Sequence, residues 1–129
     1  MIGLVVVSHN RKLAEEIINF SNEMKQFDFP VENGGGTSSE IYGTEPQIII
    51  DAIKRADKGE GVLIFVDLGS SIMNTEMAIE ILGSPEKLYI VDAPLVEGVI
   101  SAVAGNFPGI SAEELKQISE ESKNFIKIK

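Results

Sequence analysis

Cysteine is absent from this chain of 129 residues. That excludes a disulfide framework, a thiolate metal site and a cysteine nucleophile. Histidine occurs once, as His9. Two-histidine metal motifs and histidine clusters are therefore excluded, and no metal site is expected. If an imidazole does chemistry here, it is that of His9. Tryptophan is missing too, and tyrosine occurs twice. Positive charge is scarce: 11 basic residues face 20 acidic ones, a net charge of −9. A chain of that sign repels phosphate backbones and anionic bilayers, so neither nucleic acid nor membrane is an expected partner. No apolar run approaches the roughly 20 residues of a spanning helix. The apolar start, residues 1–7, is short for a signal segment and has no basic residues before it. The expectation is a soluble cytoplasmic protein.

What is present suits one packed domain over residues 1–129. Hydrophobic residues make up 43%, enough for a real core. Residues 2–7 form a β-branched run that reads as a strand buried on both faces. Residues 11–26 place Leu13, Ile17, Phe20 and Met24 at helical spacing. Residues 29–31 give a short second strand, weakened by Pro30. A polar loop runs from Gly34 to Gly43. A helix from Thr44 to about Lys58 would be capped by Thr44 with Gln47 and turn Ile49, Ile53 and Ala56 inward. A third strand is expected at 62–66, a turn at 67–71, a helix at 72–82 and a fourth strand at 88–91. Residues 95–107 form a helix apolar almost all round. Ser111 with Glu114 caps a final helix. The tail, residues 125–129, alternates isoleucine and lysine, as an edge strand does. Strands alternating with helices predict an α/β fold: a three-layer open sheet, mainly parallel, with helices on both faces.

In such a sheet, ligands sit beyond the carboxyl ends of the strands, at the point where the strand order reverses. Polar residues gather at three strand ends: Ser8-His9-Asn10, Asp67-Leu68-Gly69-Ser70-Ser71, and Asp92. If strands one and three are neighbours, His9 faces Asp67, and each lies just before a helix start that favours an anion. An aspartate bonded to one imidazole nitrogen fixes the tautomer and frees the other nitrogen as a nucleophile. Helix amides with the Ser70 and Ser71 hydroxyls can then hold a phosphoryl group without a metal or cofactor. Plainer readings stand beside this one. Asp67 is also placed to cap the third helix, and Asp92 to cap the fourth. Neither G-x-G-x-x-G nor Walker spacing occurs, and Gly69-Ser70-Ser71 is not a serine-hydrolase elbow.

The segments Gly3–Ala14, Gly35-Gly36-Thr37 running to Thr44, Gly61–Ser71 with Asn74, and Val91–Gly98 resemble the phosphotransfer subunits (DhaM) of bacterial PEP-dependent dihydroxyacetone kinase. These have the fold of mannose-type enzyme IIA of the phosphotransferase system (PTS). The resemblance implies that His9 is phosphorylated by phospho-HPr and passes the group to ADP bound on a partner subunit, DhaL. It assigns Asp67 as support for His9, and places Gly36, Thr37, Ser70 and Ser71 around the phosphate. It also implies a homodimer, with residues 95–107 and the tail as candidate contacts, although that helix equally reads as plain core. HPr and the kinase subunits are then expected on other chains. Two alternatives remain: a mannose-type sugar-transport enzyme IIA serving an enzyme IIB, and a non-enzymatic regulatory module that reads phosphorylation.

Overall fold

The computed structural model describes residues 1–39 and 41–129. Glu40, part of the expected polar loop, lies outside the described residues. In chain order the elements are β1 (Gly3–Val7), α1 (Arg11–Asn22), β2 (Val31–Asn33), α2 (Pro46–Ala56), β3 (Val62–Val66), α3 (Gly69–Ile81), β4 (Leu88–Val91), α4 (Leu95–Gly105) and α5 (Ala112–Glu120). A short 3₁₀ turn, Glu121–Asn124, follows. The four strands are parallel, in the order β2-β1-β3-β4. The chain leaves β1 in one direction and returns through β3 on the other side. The strand order therefore reverses between β1 and β3.

Both inner strands are buried along their whole length, and their pleat divides the core in two. Leu4, Val6, Leu63 and Phe65 pack with α1, α4 and α5 through Ala14, Ile17, Val99, Val103 and Leu115. Val5, Val7, Ile64 and Val66 pack with α2 and α3 through Ile49, Ile53, Ala56 and Ala78. The α/β expectation, with helices on both faces, holds.

Several local readings change. The inward face of α1 is Ala14, Ile17, Ile18 and Ser21, while Leu13, Phe20 and Met24 are exposed. Of the two apolar stripes on this helix, the one with smaller residues meets the sheet. β2 starts two residues later than expected, so Pro30 precedes the strand and only its carbonyl pairs, accepting from Leu4 N–H at 3.0 Å. The Thr44 box does not form. Glu45 takes the cap position without a side-chain bond, and the Thr44 hydroxyl accepts from Asn74 Nδ2 at 2.6 Å. The third helix begins at Gly69, so Gly69-Ser70-Ser71 is its first turn. The Ser111 cap is present, with Glu114 N–H donating to its hydroxyl at 3.1 Å. Asp92 does not cap α4; its carboxylate pairs with Lys123 at 3.1 Å. The tail is not a strand. It runs out over α4, where Lys127 reaches Glu97 at 2.7 Å, and Ile126 and Ile128 are exposed. α5 packs against β4 before the tail begins, so this chain does not carry its own tail onto the sheet.

Phe65 is 1% exposed, at the centre of the layer between the sheet and α4. Phe65→Ala is expected to cost about 3–5 kcal/mol of stability by urea unfolding, because the rigid layer cannot close the cavity. A loss under about 1 kcal/mol would show that the layer collapses onto the gap.

Candidate active site

The loops after β1 and β3 leave the sheet side by side, because those strands pair in register from Gly3–Val62 to Val7–Val66. Two residues beyond Val7 stands His9, and one beyond Val66 stands Asp67. The His9 backbone N–H donates to Asp67 Oδ2 at 2.9 Å. The ring Nδ1 lies 2.9 Å from Asp67 Oδ1. Leu68 N–H donates to the same oxygen at 2.7 Å. The carboxylate is thus held from both sides, with 15% of its side chain exposed against 27% for His9.

Burial, the largest single influence on Asp67, pushes its carboxyl up. The hydrogen bonds from the His9 backbone and ring and from Leu68 N–H, with a smaller contribution from Ser71, outweigh it and hold the group at about 2. Asp67 is therefore ionised at neutral pH and only accepts. It follows that Nδ1 carries the proton of a neutral ring and Nε2 keeps its lone pair. Nε2 touches the Ser70 hydroxyl, which in this tautomer is the donor.

The two helix starts differ. At α1, the Asn10 carboxamide accepts from Lys12 N–H at 2.9 Å and Leu13 N–H at 3.2 Å, which occupies two amides of that first turn. Sequence reasoning passed over this cap, although an asparagine just before an amphipathic helix signals it. At α3, the cap residue is Leu68 and offers no side-chain bond. The Gly69 and Ser70 amides have no acceptor among the described residues. An anion beside Nε2 therefore meets the open first turn of α3.

The four expected phosphate-site residues fall in different places. Ser70 is against the ring. Ser71 is buried and its hydroxyl donates to Leu68 O at 2.6 Å, so it shapes the turn and does not face the ring. Gly36 and Thr37 lie across a cavity from His9. The Thr37 hydroxyl donates to Ile41 O at 2.9 Å and clamps the loop on itself. Gly36 has φ of +78°, and a Cβ there would come within 2.7 Å of Arg11 Cβ; only glycine allows both the turn and the contact. The loop's far end is tied by Gly43 N–H to His9 O at 2.8 Å and by Asn74 to Thr44. Among the described residues, no group of three or more His, Cys, Asp or Glu side chains converges to hold a metal. No helix among them is long and apolar enough to cross a membrane.

The low Asp67 carboxyl predicts a specific pH dependence. A depressed acid stabilises the fold above its unfolded value, 3.8, and that stability is lost as pH falls toward the folded one. Asp67→Asn is expected to unfold more easily than the parent at neutral pH, and the gap should close between about pH 4 and about pH 2. Urea titrations at several pH values follow it. A gap that stays constant would contradict the charge-based role.

Comparisons with known proteins give the chain's relatives. Residues 3–118 match the family described as the PTS system fructose IIA component, EIIA-man. A protein of Listeria innocua, named PEP-dependent dihydroxyacetone kinase 2, phosphoryl donor subunit DhaM, is 36% identical over 91% of this chain and 95% of its own. The Lactococcus lactis phosphotransferase subunit DhaM is 30% identical over 92% of this chain and 94% of its own. The Escherichia coli DhaM is 29% identical over 89% of this chain, which spans only 25% of that longer protein. The crystal structure of EF1359, a protein of unknown function, superposes with a TM-score of 0.77 at 31% identity, over 95% of this chain and 93% of that one. With a matched model spanning nearly all of its length, the chain belongs to the PTS fructose IIA component family, EIIA-man.

Proposed function

We propose that this protein is a phosphohistidine carrier of the PEP-dependent dihydroxyacetone kinase system. His9 accepts a phosphoryl group from phospho-HPr and passes it to ADP bound on the DhaL subunit. The observation that carries this reading is the oriented ring: Nδ1 faces Asp67 Oδ1 at 2.9 Å, while Nε2 lies at the open first turn of α3. Membership of the family and the names of the relatives support the pathway.

In this mechanism Nε2 attacks phosphorus in line, the donor's P–N bond breaks, and a new P–N bond forms on His9. Asp67 stabilises the cationic ring that develops and keeps Nδ1 protonated, as a carboxylate does for other reactive imidazoles. The Gly69 and Ser70 amides and the Ser70 hydroxyl receive the phosphoryl oxygens; their placement before the reaction is what lowers the barrier. Gly36 and Thr37 act by holding the loop over His9, and Ser71 by fixing the turn. No metal or cofactor takes part in this chain's own steps.

Residues 1–129 are read as one mannose-type enzyme IIA domain working in the cytoplasm. A homodimer is part of the proposal. Val96 on α4, Phe107 two residues beyond it, and Ile126 and Ile128 of the tail are exposed apolar groups that a second copy would cover.

Incubation with PEP, enzyme I and HPr is expected to load acid-labile, alkali-stable phosphate on the wild type and none on His9→Ala. Equal labelling of both would end the proposal. Asp67→Ala is expected to slow loading by about 10²-fold, since the ring is no longer held with Nε2 facing phosphorus and its developing charge loses its carboxylate. Unchanged rates would reduce Asp67 to a structural role. Discharge to an enzyme IIB, with none to DhaL and ADP, would move the protein to sugar transport.

A further inference from the structure

His9 has a second neighbour besides the α3 terminus. A cavity of about 450 Å³ opens beside it, walled by the start of α1 and by residues of the loop that begins at Gly36. That volume lies within the range of small-molecule sites, about 300–1,000 Å³. Arg11, Lys12, Glu15 and Tyr42 line it with His9.

Two basic residues, Arg11 and Lys12, stand on its rim. Of the chain's other bases, Arg55, Lys116, Lys123 and Lys127 each pair with a carboxylate within 4.0 Å, while Lys25, Lys54, Lys58, Lys87 and Lys129 have no such pair among the described residues. Among the described residues, neither Arg11 nor Lys12 has such a partner, although Glu15 lies one helical turn from Arg11. The stem of Arg11 is also held in place. Its backbone carbonyl accepts from Asn33 Nδ2 at 3.0 Å, and Gly36 packs against its Cβ. A protein of net charge −9 thus places two cations beside its one histidine, at a helix start where Asn10 already occupies the Lys12 and Leu13 amides.

We propose that this cavity receives the diphosphate of a nucleoside diphosphate presented by the acceptor protein, and that Arg11, with Lys12, grips it in trans. The inference rests on His9 being the phosphoryl carrier. In the transfer, a terminal diphosphate oxygen attacks phosphorus, the P–O bond forms, and the P–N bond breaks with its electron pair returning to Nε2. The nucleoside triphosphate leaves on the acceptor, and nothing is oxidised or reduced. The α3 amides serve the phosphoryl group on His9. The incoming diphosphate carries its own negative charge and needs separate cations, which a planar guanidinium supplies with two-point geometry. Contribution of an arginine from one protein to a nucleotide held by another is an established way of stabilising phosphoryl transfer.

The test separates the two half-reactions. His9 is first loaded from phospho-HPr; then discharge to the ADP-loaded acceptor subunit is timed by rapid quench. Arg11→Gln is expected to slow discharge by more than about tenfold while loading changes by less than about threefold, and Arg11→Lys should recover part of the loss. Discharge within about twofold of wild type, or equal slowing of both steps, would overturn the role of Arg11. A wild type that never loads phosphate on His9 would instead overturn the carrier reading beneath it.

Discussion

Two hydrogen bonds of 2.9 Å join His9 to Asp67, and they tie together the ends of the two central strands. The backbone bond sets the spacing between the loops after β1 and β3. The ring bond sets which imidazole nitrogen faces outward. Because Asp67 is held at about 2, it stays an acceptor at any physiological pH. The tautomer therefore follows from the fold and does not wait for a ligand. Around the ring stand the first turn of α3, with Ser70 against Nε2, and the cavity lined by the start of α1 with Gly36, Thr37, Ile41 and Tyr42.

The fold explains why these residues meet. Parallel strands leave their carboxyl ends on one edge, and reversal of strand order between β1 and β3 opens a crevice there. Buried, β-branched inner strands fix the register, since a one-residue slip would turn Val5 and Val7 into the wrong core layer. A rigid sheet thus positions two short loops, and the chemistry is carried by groups that the sheet itself does not need.

The parts legible in the sequence were those with strong local patterns. The buried runs at β1 and β3 read as inner strands, and the strand-end rule, given that those strands are neighbours, brought His9 to Asp67. The Ser111 cap was readable because serine and Glu114 satisfy each other locally. The misread parts depended on distant partners. Leu13, Phe20 and Met24 have helical spacing as good as that of the true inner face of α1; only the shape of the sheet chooses between them. Thr44 looks like a cap until Asn74, thirty residues away, claims its hydroxyl. The tail alternates like a strand, but α5 packs on β4 before the tail can reach the sheet. Ser71 has the right chemistry for a phosphate ligand, yet one residue of helical rotation from Ser70 turns it into the core. Arg11 was passed over because a lone base at a helix start carries no motif; it stands out only once its place beside His9 on the cavity wall is visible in space.

The central claim is that Asp67 leaves Nε2, and not Nδ1, as the nitrogen that carries phosphate. NMR of the phosphorylated protein, with the ring nitrogens labelled with nitrogen-15 and phosphorus observed directly, decides it. The account predicts phosphorus coupled to Nε2 of His9, with a proton retained on Nδ1 and hydrogen-bonded to Asp67. Phosphorus on Nδ1, or on any other residue, would contradict it.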